Sequence, residues 1–213
     1  MSSFTDFLKN EYAPHFNVMW DERTMYIRSV NPAPARFEIK DKENTILQPR
    51  GQGDSVLRRH DEAVEVVDLE MFTAMIHGMD NTPSCCDFVI SPSVGTNYLL
   101  LNELTRTKSD YILPFAQQNN GLERSGKLEY AKGQLSKTIN RFYEVSDFCD
   151  QYLQKIALFS CRLSDKRGDG IMARSARMFN KTIHTLEHLK LREKLPHGFI
   201  FKMRIYNAEY QLP

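Results

Sequence analysis

The chain has 213 residues, 41% hydrophobic and 26% charged, which is enough for one domain with a sizeable core and excludes a disordered or fibrous class. A formal net charge of +1 excludes binding to nucleic acid through a global field, so any polyanion site has to be a local patch. No apolar run approaches the roughly 20 residues of a membrane helix, and MSSFTDFLKNEY lacks the basic flank and apolar centre of a secretory signal, so the expectation is a cytoplasmic protein with no membrane partner.

In chain order, SFTDFLKNEY is a short helix candidate, and MYIRSV, RFEIK and NTILQ are strand candidates separated by NPAPA and the DKEN turn. The stretch QPRGQGDS, rich in glycine and polar residues, is the best internal boundary. It divides a β-rich N-terminal extension, 1–55, from a core over 56–213. From His60 to Gly78 the spacing predicts a helix with Ala63, Val64, Val67, Met71, Ala74 and Met75 on one face and acids in its first turn. CDFVIS and NYLLLNEL, joined by PSVGT, predict a hairpin. Residues 106–126 contain Pro114 and QQNNG and read as an irregular loop or lid. Leu128, Ala131, Leu135, Thr138, Phe142 and Val145 then form the stripe of an amphipathic helix, and KIALFSCRL a buried strand. After SDKRGDG, whose Arg167 to Asp169 tripeptide reads as a turn, come a long basic helix, IMARSARMFNKTIHTLEHLKLREKL, and a closing strand, HGFIFKMRIY.

Cys85, Cys86, Cys149 and Cys161 include no C-x-x-C, which argues against zinc and for buried reduced thiols. The residues that stand out chemically are acids on the hairpin. Glu103 and Thr105 share a strand face, and Asp87 near the start of the partner strand can approach Glu103 across an antiparallel pair. Two carboxylates on adjoining strand ends suit Mg²⁺ or Mn²⁺, hard cations that take oxygen ligands. On the basic helix, Arg174, Arg177, Lys181, His184 and His188 follow at three- or four-residue steps, a stripe able to track a phosphate backbone or simply to face solvent.

The order "CDFVI", reversal, "YLLLNEL", then a helix carrying "YAKGQLSKTINRF", resembles the PD-(D/E)XK nuclease-like superfamily over roughly residues 60 to 163. The resemblance implies a restriction-endonuclease-like α/β fold, a mixed sheet flanked by helices. It implies that Asp87 and Glu103 are metal ligands, completed by the main-chain carbonyl of Leu104, and that Ala131, Gln134 and Leu135 match an A-x-x-Q-L helix pattern. Gln134 would point to the phosphate, and Glu70 is the candidate for an additional acid from the upstream helix. The family lysine falls on Thr105, which carries no positive charge. Arg106, Lys108, Lys132 and Lys137 are candidates to replace it, the helix lysines ranking above Arg106, which faces away from Glu103.

The function these features imply is metal-dependent phosphodiester hydrolysis of nucleic acid, DNA in particular, as in defence against foreign DNA or restriction, with a protein partner or a second copy assisting. The alternative is a catalytically silent member of the fold that holds nucleic acid or a partner, for which Tyr111, Phe115, Tyr206 and Tyr210 are candidate anchors.

Overall fold

Ser3 starts the chain's first helical segment through a reciprocal cap: its Oγ accepts from the Asp6 amide at 3.1 Å, and Asp6 Oδ2 accepts from the Ser3 amide at 3.0 Å. Helix α1 (Phe4–Phe7), one π-helical turn (Leu8–Tyr12) and α2 (Ala13–His15) follow without a break. The α-helices and strands that follow among the described residues are β1 (Ser29–Val30), β2 (Arg36–Ile39), β3 (Leu47–Gln48), β4 (Ser55–Arg58), β5 (Val64–Asp68), α3 (Leu69–His77), β6 (Phe88–Pro92), β7 (Tyr98–Thr107), β8 (Phe115–Ala116), β9 (Glu123–Arg124), α4 (Lys127–Val145), β10 (Gln154–Leu163), β11 (Ile200–Ile205) and β12 (Glu209–Gln211). This computed structural model describes residues 2–40, 42–107, 112, 115–116, 123–124, 126–163, 193–205 and 209–213. The predicted lid over 106–126 falls largely outside them and the RGD tripeptide wholly so; of the basic helix predicted over 171–195 only 193–195 are described, and these are not helical, Lys194 bridging to Ile200.

Six strands form the main sheet in the order β1-β5-β6-β7-β10-β11. The first four run antiparallel to their neighbours, whereas β7, β10 and β11 are mutually parallel. Parallel neighbours need a crossover, and α4 is the helix between β7 and β10. A second sheet, β12-β4-β2-β3, draws its strands from both ends of the chain. Position 55 opens β4, which pairs with β2, and β1 joins the main sheet through β5.

Both faces of the main sheet are covered, which explains why β7 reads as the nearly unbroken apolar run YLLLNEL. Val67, Val89, Leu99, Leu101 and Ala157 pack with Phe4, Phe7, Tyr12, Leu135, Ile139 and Phe142 on the helical side. The alternate residues Val66, Phe88, Ile90, Leu100, Leu104 and Leu158 pack with Phe37, Ile39, Leu57 and Tyr210 of the second sheet. Asn102 and Ser160 are the polar exceptions on that side. Ser160 Oγ donates to Ser55 Oγ (2.9 Å) and Asn102 Oδ1 (3.0 Å), and Asn102 Nδ2 donates to Ser55 Oγ (3.0 Å).

The structure corrects two of the expectations above. The predicted helix over 60–78 is a strand followed by a helix: β5 takes Val64 to Asp68, and α3 begins only at Leu69. Alternation of Val64 and Val66 toward one core and Val67 toward the other suits β-branched side chains between two layers, and Asp68 caps α3 by accepting from the Met71 amide at 3.0 Å. Tyr210 is no exposed anchor; it is 2% exposed, in the core between the sheets.

Within the second sheet, Glu38 is buried yet ionised by design of its surroundings. Burial pushes its pKa up, but the Gly51 and Gly53 amides donating at 2.8 and 3.0 Å, with Arg36 at 3.1 Å, outweigh that and hold it below the ordinary range. A depressed carboxylate adds stability above its unfolded pKa and loses it as pH falls through the folded one. Chemical denaturation at a series of pH values is therefore expected to show an acid-side loss of stability that Glu38→Gln makes shallower. Gly53 is fixed by contact: a Cβ there would lie 2.5 Å from Glu38 Cβ, so Gly53→Ala is expected to cost roughly 1–3 kcal/mol in the same assay.

Candidate functional site

The hairpin register decides the geometry of the two acids. Phe88 pairs with Asn102, Val89 with Leu101 and Ile90 with Leu100, so continuing by one residue sets Asp87 opposite Glu103. Val89 and Leu101 face the helices, and the two-residue period puts Asp87, Glu103 and then Thr105 on that same face. Both acids are buried, Asp87 7% and Glu103 5% exposed. Gly95, at φ +91°, gives the connecting turn the left-handed conformation that sets this register.

Asp87 is also a junction. Its Oδ2 accepts from the Leu104 amide at 2.6 Å, tying the two strands together beyond their last ladder pair. Its carbonyl accepts from the Leu69 amide at 2.9 Å and the Glu70 amide at 3.3 Å, which anchors the start of α3 beside the acids. Glu70 thus lies in the first turn of α3 next to Asp87, with its carboxylate outward, 40% exposed and 3.9 Å from Lys42 Nζ. The Leu104 amide is engaged by Asp87, and its side chain points into the opposite core.

Helix α4 forms a wall against the segment 84–86 that leads into Asp87. Gln134 Nε2 donates to the Cys85 carbonyl at 3.2 Å, Thr138 Oγ1 accepts from the Cys86 amide at 2.8 Å, and Arg141 donates to the Ser84 carbonyl at 3.3 Å. These residues lie at i, i+4 and i+7, one stripe of the helix. Gln134 is therefore beside the acids' approach, its Oε1 buried without a hydrogen-bond partner. Thr138 reads from sequence only as part of the apolar stripe and Arg141 is not singled out, although their spacing from Gln134 is a signal for both polar roles.

The candidate replacements for the lysine lie elsewhere or outside the described residues. Lys132 is held by Glu129 and Glu193, each at 3.0 Å, and sits over the ring of Phe201 on β11, two strands from β7. Burial lowers its pKa, but the two carboxylates outweigh that and raise it overall. Lys137 is exposed, and Arg106 pairs with Asp54 at 2.7 Å on the opposite face of β7. Lys108, Arg174, Arg177 and Lys181 lie outside the described residues. Thr105 is half-buried and stands beside Cys161 of β10.

All four cysteines are free and buried. The Cys86 thiol is pushed well above its usual pKa by burial first, then by Cys85, Glu103 and Asp87, so it stays a protonated thiol beside the acids. That leaves an all-oxygen donor set. Among the described residues no group of three or more His, Cys, Asp or Glu side chains converges in metal-holding geometry. Two carboxylates are a fitting protein share for Mg²⁺ or Mn²⁺, since Mg²⁺ is usually held by one or two carboxylates and keeps several of its waters.

Compared with family models, curated proteins and solved structures, the chain has no match. No helix among the described residues is long and apolar enough to cross a membrane.

Proposed function

We propose that the chain is a divalent-metal-dependent nuclease of the PD-(D/E)XK kind, in which Asp87 and Glu103 hold Mg²⁺ or Mn²⁺ against a phosphodiester. The observation that carries this reading is the cross-strand pair itself, two buried carboxylates on one face of the β6–β7 hairpin. The order of elements supports it further: three antiparallel strands, a crossover helix, then a parallel strand, with Asp87 immediately before the second strand, Glu103 on the third and Gln134 on the crossover helix. The cation, when bound, lowers the pKa of a water and polarises the phosphate. Asp87 holds its place through Leu104 and the start of α3, Glu103 presents the second carboxylate, Glu70 stands at the rim, and Gln134 braces the Cys85 carbonyl beside them.

A second reading has its own observation. Thr105 brings no charge, and of the described candidates Lys132 and Arg106 are each held by carboxylates away from the acids. A silent member of the fold that binds nucleic acid or a protein partner without cutting accords with that.

The test is cleavage of single- and double-stranded DNA and RNA with Mg²⁺ or Mn²⁺, run beside Glu103→Ala, together with Mn²⁺ binding by electron paramagnetic resonance. The nuclease reading expects metal-dependent cutting and Mn²⁺ binding, both lost in the variant. Mn²⁺ binding lost in the variant but no cutting by either protein would select the silent reading. Absence of Mn²⁺ binding by the wild type would remove both acids from a metal role.

A further inference from the structure

Helix α3 carries two apolar faces, where a surface helix ordinarily carries one. Leu69, Phe72 and Ile76 are buried in the core on the helical side of the main sheet. Met71, Ala74 and Met75, whose spacing predicts a core face, instead line a groove of about 690 Å³, and Met79 extends that wall past the end of the helix. The facing wall includes Tyr26. Met25 and Ile27 on either side of it pack onto the core, so the Tyr26 ring is turned out, 60% exposed. Tyr26, Met71 and Met79 are thus three exposed large apolar side chains gathered on one cavity, which marks a binding site where scattered ones would not. The volume falls within the roughly 300–1,000 Å³ usual for small-ligand sites.

One end of the groove is polar and abuts the carboxylates. Glu70 and Lys42 line it 3.9 Å apart, with Arg28, which pairs with Asp68 at 3.0 Å. The Glu70 amide donates to the Asp87 carbonyl at 3.3 Å, so this end opens beside the candidate metal site. Lys42 is 77% exposed, and an ion pair that long and that exposed is worth little, so its ammonium can leave Glu70 for a phosphate at small cost. The other acid at this end, Glu43, is paired with Lys40.

We propose that the groove holds an unpaired base of a single-stranded nucleic acid whose backbone passes the carboxylates. The base stacks on Tyr26 and rests on the thioethers of Met71, Met75 and Met79, with Lys42 beside the phosphate. The class of ligand rests on the nucleic-acid reading above; what the groove adds is its form, a strand with its bases free. Every base has a π-face suited to an exposed ring, and methionine is flexible and polarisable enough to meet purines and pyrimidines alike. A nucleotide carries a flat ring and a charged phosphate in the order in which the groove carries its apolar floor and its polar end. A wholly apolar occupant, such as a partner's leucine side chain, would set that polar end against nothing that pairs with it. Duplex bases, paired and stacked inside the helix, cannot enter.

The test is fluorescence anisotropy of a labelled oligothymidylate, its abasic analogue of equal length and a duplex, each titrated with the full chain in EDTA, so that neither metal nor cleavage takes part. The oligothymidylate should bind more tightly than both others. Tyr26→Ala should weaken it roughly 5–150-fold, the loss of one stacked base, and Tyr26→Phe, which keeps the ring, should bind as the wild type does. Both substitutions are at an exposed position, so both proteins should fold. No binding of the oligothymidylate, equal binding of the abasic analogue, or equal binding by Tyr26→Ala overturns the groove; metal-dependent cutting lost in Glu103→Ala would still leave the nuclease reading standing. Base-dependent binding that Tyr26→Ala removes, in a protein that neither binds Mn²⁺ nor cuts, supports the groove while the metal role falls. A dimer in sedimentation velocity that Met79→Lys separates would give the groove to a second copy and overturn the base.

Discussion

Thr105→Lys is expected to raise metal-dependent cleavage by roughly 10²–10³-fold over the wild type, the size of effect seen when one preorganised group that stabilises transition-state charge is gained or lost. The position is suited to it. Thr105 follows Glu103 on the same face of β7 and is half-buried, so a lysine stem can lie along the apolar wall while its ammonium reaches the phosphate side. Cleavage rates of the two proteins at saturating Mg²⁺, with Thr105→Lys/Glu103→Ala as the control that removes the metal ligand, measure the effect. A wild type that cuts through Glu103 and gains nothing from the lysine would mean that another basic group already supplies the charge. A wild type that binds Mn²⁺ without cutting, made active by this one substitution, would identify a silent protein that lost its lysine.

The largest stability effect is expected at Phe142. It is 1% exposed on the inner face of α4 and meets Phe4 and Phe7 edge-on, each with 5.6 Å between ring centroids, and Tyr12 at 6.1 Å. Phe142→Ala removes the ring that docks the N-terminal helical segment onto α4 and leaves a cavity closed in by other aromatic rings, so about 3–5 kcal/mol of unfolding free energy should be lost. Urea denaturation measures it, with Leu153→Ala, at a position 82% exposed, expected to stay within about 0.5 kcal/mol of the wild type. A loss at Phe142 no greater than at Leu153 would show that α1 and the π-helical turn are not anchored through this ring.

Much of the frame was legible in the residues alone, wherever a local period is unambiguous. The hairpin follows from two apolar runs around PSVGT, and its register, with Asp87 facing Glu103, follows from the turn and the two-residue alternation. Helix α4 follows from the stripe Ala131, Leu135, Thr138 and Phe142, and β10 and β11 from short apolar runs enriched in β-branched and aromatic residues. The expectation placed on residues 87 and 103 rests on this order of elements.

Tertiary structure decided what no local window contains. AVEVVDLEMF satisfies a helical face as well as a strand, and only the presence of a layer on each side of Val64–Asp68 makes β5 the better burial. Strands β4 and β12 pair across about 150 residues, Val56 with Glu209, a match set by the second core and by Arg36 and Arg58 gripping Glu209. Lys132 and Gln134 look equally available on a helical projection. Packing sends the first to Glu193 and Phe201 and the second to Cys85. Arg141 meets the Ser84 carbonyl only because α4 packs along the segment that leads into β6. Periodicity determines which face of an element turns inward, and the free energy of packing against distant partners determines what that face meets.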